Sequence, residues 1–118
     1  MTIVTESSKK ILLKPRIKVW LEYLDRPIIG AGGARLLKLI DETNSISKAA
    51  EKMGVSYRFA WNYIKNVERT LKTRIVSSKK GGNEKGRTVL TPVGKSILRE
   101  YEKLCSKIGE LEKIVIEI

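Results

Sequence analysis

A mainly α-helical fold with small β-hairpins is predicted by three features of the chain. Ser45 to Leu71 reads as a short helix, a sharp turn and a second helix with one apolar and one basic, polar side. Lys79 to Arg87 is a basic segment spotted with glycine between two short β-branched runs. Thr91-Pro92 then opens a long helix with a seven-residue apolar repeat. Helix, turn, helix, hairpin and long helix, in that order, is the arrangement of a winged helix-turn-helix with a C-terminal dimerisation helix.

Composition narrows the possibilities further. The 118 residues suit one small domain with an appended element, and an apolar fraction of 42% is enough for a core. Apolar runs fall far short of the roughly 20 residues that span a bilayer, and no signal-peptide pattern opens the chain, so no membrane partner and a cytoplasmic location are expected. With Cys105 alone and no histidine, a disulfide framework, a metal site and a nucleophile–base pair all lack their components. The chain therefore reads as a non-enzyme without cofactors. Its net charge is +11 and unevenly placed: +3 over residues 1–43, +8 over 44–90 and zero over 91–118. Cations gathered on the helix-turn-helix and hairpin are what neutralising phosphates requires, so the expected partner is double-stranded DNA.

Taken in order, residues 1–13 have no clear periodicity and are expected as a flexible arm. Residues 14–90 form the winged unit with an N-terminal hairpin, and 91–118 form the dimerisation helix. From Lys14 to Leu24 the chain alternates, with Ile17, Val19, Leu21 and Tyr23 on one side, which predicts a strand. Asp25-Arg26-Pro27 supplies turn chemistry and Ile28-Ile29 a return strand. The glycines from Gly30 to Gly33 match neither a Walker A loop nor a dinucleotide fingerprint, and read as a tight entry to a helix carrying Leu36, Leu37, Leu39 and Ile40. That helix should end near Thr43-Asn44. Ser45 or Ser47 can cap the next one, Gly54 suits the sharp turn, and Ser56 can cap the second helix of the motif.

At 100° per residue, Ala60, Ile64, Val67 and Leu71 make the core side of that second helix. Arg58, Asn62, Lys65 and Arg69 lie well away from it, with Ser56 beside them at the start. Arg and Asn can pair with guanine and adenine edges; Lys65 and Arg69 suit phosphates. Tyr57 and Trp61 flank the apolar stripe, where they serve either the core or the DNA, and Phe59 and Tyr63 face the N-terminal hairpin. In the wing, strands at 75–77 and 88–90 flank a loop whose Lys79, Lys80, Lys85 and Arg87 can reach phosphates or the minor groove; mobility is expected there without DNA. The last helix, capped by Thr91, carries Ile97, Tyr101, Leu104, Ile108, Leu111, Val115 and Ile118 as a seam. Pairing with a second copy is the simplest cover for it, and packing on the chain's own first helix is the competing one.

The run SISKAAEKMGVSYRFAWNYIKNVE resembles the helix-turn-helix of LysR-type regulators, and more closely that of the molybdate-responsive ModE regulators. Ser56, Tyr57, Arg58, Ala60 and Trp61, the wing from Lys80 to Gly86 and the exit Val89-Leu90-Thr91-Pro92-Val93-Gly94 carry the likeness, over about residues 14–105. It implies a dimeric transcription factor with Tyr57, Arg58, Trp61 and Asn62 at the DNA. The oxyanion-binding domain usual in ModE regulators does not follow in these 118 residues, so a stand-alone DNA-binding unit is expected and no small-molecule effector is assigned. An architectural protein that coats DNA with little sequence preference is the alternative.

Overall fold

The apolar stripes of the helices converge on one core of Ile29, Leu37, Ile40, Ile64 and Ile75, all essentially inaccessible. A computed structural model of the chain describes residues 9–81 and 84–118, with 79–81 and 84–85 described by backbone alone. Three helices surround the core: α1 (Ala31–Thr43), α2 (Ile46–Met53) and α3 (Tyr57–Leu71). Strands β4 (Val76–Gly81) and β5 (Glu84–Leu90) form the antiparallel wing, and α4 (Pro92–Glu112) follows. Three of the four helix starts carry a side-chain cap, while α1 is entered from Gly30 without one. The hydroxyls of Ser45, Ser56 and Thr91 accept the N–H groups of Lys48, Phe59 and Gly94 at 3.0–3.1 Å.

Between α2 and α3 the chain turns on Gly54, in the left-handed region at φ 73°. Gly54 N–H donates to Glu51 and Val55 N–H to Ala50, a Schellman pattern that ends α2. Asn44, also left-handed, ends α1 where the sequence predicts. Its carbonyl accepts Thr88 N–H at 2.9 Å, which ties the wing to the α1–α2 corner.

The structure corrects the sequence reading in four places. The N-terminal hairpin is shorter: β2 (Leu21–Tyr23) pairs with β3 (Arg26–Ile29), and residues 14–20 are not in a strand. Its turn is Leu24-Asp25, both at positive φ, rather than Asp25-Arg26-Pro27. A two-residue loop of that kind matches strand twist, and Pro27 sits in β3 opposite Glu22 where the register shifts. α1 begins at Ala31, taking in Gly32 and Gly33. Gly33 is there for contact, because a Cβ would lie 1.9 Å from the Tyr63 hydroxyl on α3. Both wing strands also run further than 75–77 and 88–90; the loop tip Gly82-Asn83, where mobility is expected, lies outside the described residues.

The fourth correction concerns the tail. α4 stops at Glu112, so Val115 and Ile118 leave the helical seam. The β-branched run Ile114-Val115-Ile116 favours extended backbone over another helical turn. Strand β6 (Ile116–Glu117) pairs antiparallel with β1 (Leu12–Leu13), flanked by reciprocal bonds between Ile11 and Ile118 at 2.9 and 3.1 Å. The end of the expected loose arm is thus a strand, and residues 14–19 run back along α4. Ile17 N–H donates to Glu112 Oε2 at 2.9 Å, and Tyr101 Oη donates to the Val19 carbonyl at 3.0 Å.

Candidate nucleic-acid interface

Helix α3 divides into two sides. Ala60, Ile64 and Val67 are buried, and Leu71 is partly buried against the same core. On the outward side Ser56, Tyr57, Arg58, Trp61, Asn62 and Arg69 are all exposed. Among the described residues, the side chains of Arg58 and Asn62 make no hydrogen bond or ion pair, which leaves their paired donors and acceptors open to base edges. Arg69 lies on the same side nearer the C-terminal end and is bonded to Asn66 Oδ1.

Trp61 is 40% exposed, at the margin of core and surface where the sequence placed it. Lys65 extends over its ring, with Nζ 5.4 Å from the centroid, and also meets Glu68 Oε1 at 3.2 Å. Lys65 is therefore part of a cluster on α3 and less free than a bare surface lysine. Phe59 does not pack under the hairpin as expected: it is exposed and lines a small apolar pocket with Met53 and Val55. Tyr63 does, donating its hydroxyl to the Ile28 carbonyl at 2.8 Å. Burial pushes the Tyr63 phenol above its ordinary pKa.

Glu68 is the residue that sequence reasoning missed. Only 8% exposed, it accepts the N–H of Ile75 at 2.8 Å and of Val76 at 3.3 Å, at the start of the wing. Arg74 Nε stands 3.8 Å from the same carboxylate oxygen. Burial pushes its carboxyl up, but the two backbone N–H groups and Lys65 outweigh burial and hold it below the usual carboxylate value. One carboxylate thus fixes the angle between α3 and the wing. Its helical position, one turn after Ile64 and at the edge of the apolar stripe, was the signal available.

Thr91 and Gly94 seat α4 against the same wing. Thr91 N–H donates to the Ile75 carbonyl at 2.9 Å and its hydroxyl to the Arg74 carbonyl at 2.8 Å. A Cβ on Gly94 would lie 2.2 Å from the Ile75 oxygen, so only glycine fits. In the wing, Arg87 is exposed and pairs in register with Lys79. The side chains of Lys79, Lys80 and Lys85 lie outside the described residues.

The seam residues of α4 split between two environments. Ile97 packs against the core and Tyr101 is 6% exposed, so both serve their own chain. Leu104 and Leu111 are 40% and 49% exposed. Ile108 lines an open groove of about 510 Å³ with Ile17, Val19, Trp20, Tyr101 and Cys105. No helix among the described residues is long and apolar enough to cross a membrane.

Comparison with known proteins gives this geometry relatives. The chain is 34% identical over 83 residues to the molybdenum-pterin-binding protein MopB of Rhodobacter capsulatus, covering 70% of this chain and 31% of that protein. It is 35% identical over 69 residues to the DNA-binding transcriptional dual regulator ModE of Escherichia coli, covering 58% of this chain and 26% of that one. The chain thus matches less than a third of the length of either. Crystal structures of the BenM DNA-binding domain in complex with benA site 1 and catB site 1 DNA share the fold, at TM-scores of 0.52 and 0.51 and 22% and 23% identity. Each match covers 65% of this chain and, respectively, 84% and 80% of the other. The pattern of the lysR-family bacterial regulatory helix-turn-helix proteins matches residues 33–95, spanning α1 to the start of α4. On that match the chain belongs to the lysR family of bacterial regulatory helix-turn-helix proteins.

Proposed function

We propose that this chain is a sequence-specific DNA-binding transcriptional regulator that works as a cytoplasmic homodimer and not as an enzyme. The observation that carries the reading is the outward side of α3, where Arg58 and Asn62 stand exposed and, among the described residues, unpaired beside Tyr57 and Trp61. A major groove admits one α-helix, and these side chains suit its base edges. Tyr57 and Trp61 add thymine-methyl and sugar contacts, while Ser56, Lys65 and Arg69 hold phosphates. The wing, with Arg87 and the lysines at 79, 80 and 85, reaches adjacent backbone or minor groove.

Dimerisation rests on the outer half of α4. Leu104 and Leu111 are exposed beside the groove containing Ile108, an apolar surface that a second copy of α4 would cover. Two reading heads on a two-fold scaffold call for two half-sites about one helical turn, or a multiple of it, apart.

The test is an equilibrium titration of the chain with a duplex selected from random sequence and with its scrambled counterpart, at one stated salt concentration. Specific recognition predicts at least about a 1000-fold preference. It also predicts that Arg58→Ala costs about 1–3 kcal/mol on the selected duplex and much less on the scrambled one. A ratio near one would instead establish the architectural, sequence-independent reading.

A further inference from the structure

We propose that the side of α3 away from the wing carries a second DNA-docking surface, a cationic cleft that grips backbone phosphates through Arg26, Arg69 and Lys72. The cleft, about 360 Å³, lies between the tip of the β2–β3 hairpin and the C-terminal end of α3, and Tyr23, Leu24 and Thr70 complete its wall. Among the described residues, no acidic side chain lines it. Arg26 and Lys72 have no ion pair among the described residues. Arg69 and Lys72 also border an adjoining cleft with Lys65 and Arg74, where the single carboxylate, Glu68, is already engaged by Ile75, Val76 and Lys65.

Cations at the end of a helix can be explained by its dipole, and Arg69 and Lys72 gain from that. Arg26 does not belong to α3. The hairpin's own carboxylates do not line the cleft: Glu22 holds the Trp20 N–H and Asp25 sits in the turn. The three cations that do line it repel one another in the free protein, and a bound anion relieves that. The location selects DNA over an acidic protein segment. Arg69 shares the outward side of α3 with Arg58 and Asn62, about 16 Å beyond Arg58 along the axis. A helix of 15 residues, about 22 Å long, overhangs a major groove about 12 Å wide, so its ends meet the phosphate strands. Glu68, with Lys65 bonded to it, turns toward the wing while Tyr63 and Thr70 turn toward the hairpin, which places α3 between two flanks. The duplex is then held on both of them.

This inference rests on the proposed entry of α3 into the groove. Its test is the salt dependence of duplex binding by the full chain carrying Arg26→Gln and Lys72→Asn. Asn suits position 72 because that residue is left-handed, at φ 56°. The expected result is weaker binding by a similar factor on selected and scrambled duplexes. The log–log salt slope should become shallower by about 0.9 for each phosphate no longer neutralised, and Arg26→Lys should restore its share. Unchanged affinity and slope, in a protein whose Arg58→Ala variant still loses the selected duplex, would overturn the cleft alone. So would normal duplex binding combined with loss of a polyglutamate peptide that the wild type holds. Failure of the wild type to bind any duplex would remove the reading of α3 and this inference with it.

Discussion

The two halves of α4 carry one apolar row in different surroundings. Up to Tyr101 the row is covered by the chain itself: Leu98 and Tyr101 are buried, and Gly94 presses on the Ile75 carbonyl. Beyond Tyr101 the same spacing leads to exposed Leu104 and Leu111, with Ile17 and Trp20 exposed alongside on the returning N-terminal segment. Heptad spacing therefore says which residues share a face but not which molecule covers it. The inner half packs onto the core of its own chain. The outer half presents a surface that is completed in the proposed dimer.

Substitutions in the two halves should separate cleanly. The largest effect is expected from Gly94→Ala in the covered half, where the new methyl meets backbone 2.2 Å away and cannot be relieved by a side-chain rotation. A loss of about 3 kcal/mol in urea unfolding is expected. Unaltered stability would show that α4 can slide on the wing, and that the inner half is less fixed than the close approach implies. In the open half, Leu104→Lys combined with Leu111→Lys should leave head unfolding unchanged and raise the dimer dissociation constant at least about 30-fold by sedimentation equilibrium, equivalent to about 2 kcal/mol. A dimer surviving that pair of charges would place the interface elsewhere.

Smaller effects probe how the head holds its parts. Glu68→Gln removes the charge from the hydrogen bonds to Ile75 and Val76 and should cost about 1–2 kcal/mol at pH 7. Because the folded carboxyl titrates below its unfolded value of 4.5, its stabilisation is complete above that value and is lost as pH falls through the folded one. Wild-type and Glu68→Gln stabilities should therefore differ at pH 7 and converge in stronger acid; a constant gap would deny the charge its part. Least costly is Tyr63→Phe, at about 1 kcal/mol, which removes only the bond to the Ile28 carbonyl. Gly33→Ala also crowds ring carbons, 2.6 and 2.9 Å from the new methyl, so its thermal melt should fall further than that of Tyr63→Phe.

Local chemistry made much of the head legible in the sequence. Ser45, Ser56 and Thr91 announce helix starts, Gly54 a left-handed turn, and the stripe from Ala60 to Leu71 a core side. Each needs only its near neighbours to act. What the sequence concealed depends on distant partners or on competition between preferences. The β1–β6 pairing joins Leu12 to Glu117 across nearly the whole chain through two-residue strands, too short to leave a period. The seam overran the helix because its spacing continued through Ile114-Val115-Ile116, where β-branching prevails over the heptad. Pro27 drew the expected turn to start at Asp25, one residue after its observed start at Leu24. The role of Glu68 emerges only when folding brings the N–H groups of Ile75 and Val76 to it.

The central claim, that α3 enters the wide groove as the reading element, is tested most directly by chemical protection of guanine N7, which faces only the major groove. With the chain bound to a selected duplex, dimethyl sulfate should find two protected major-groove patches about one helical turn, or a multiple of it, apart, and Arg58→Ala should reopen one guanine in each. Bound DNA with every guanine N7 still reactive would contradict the account.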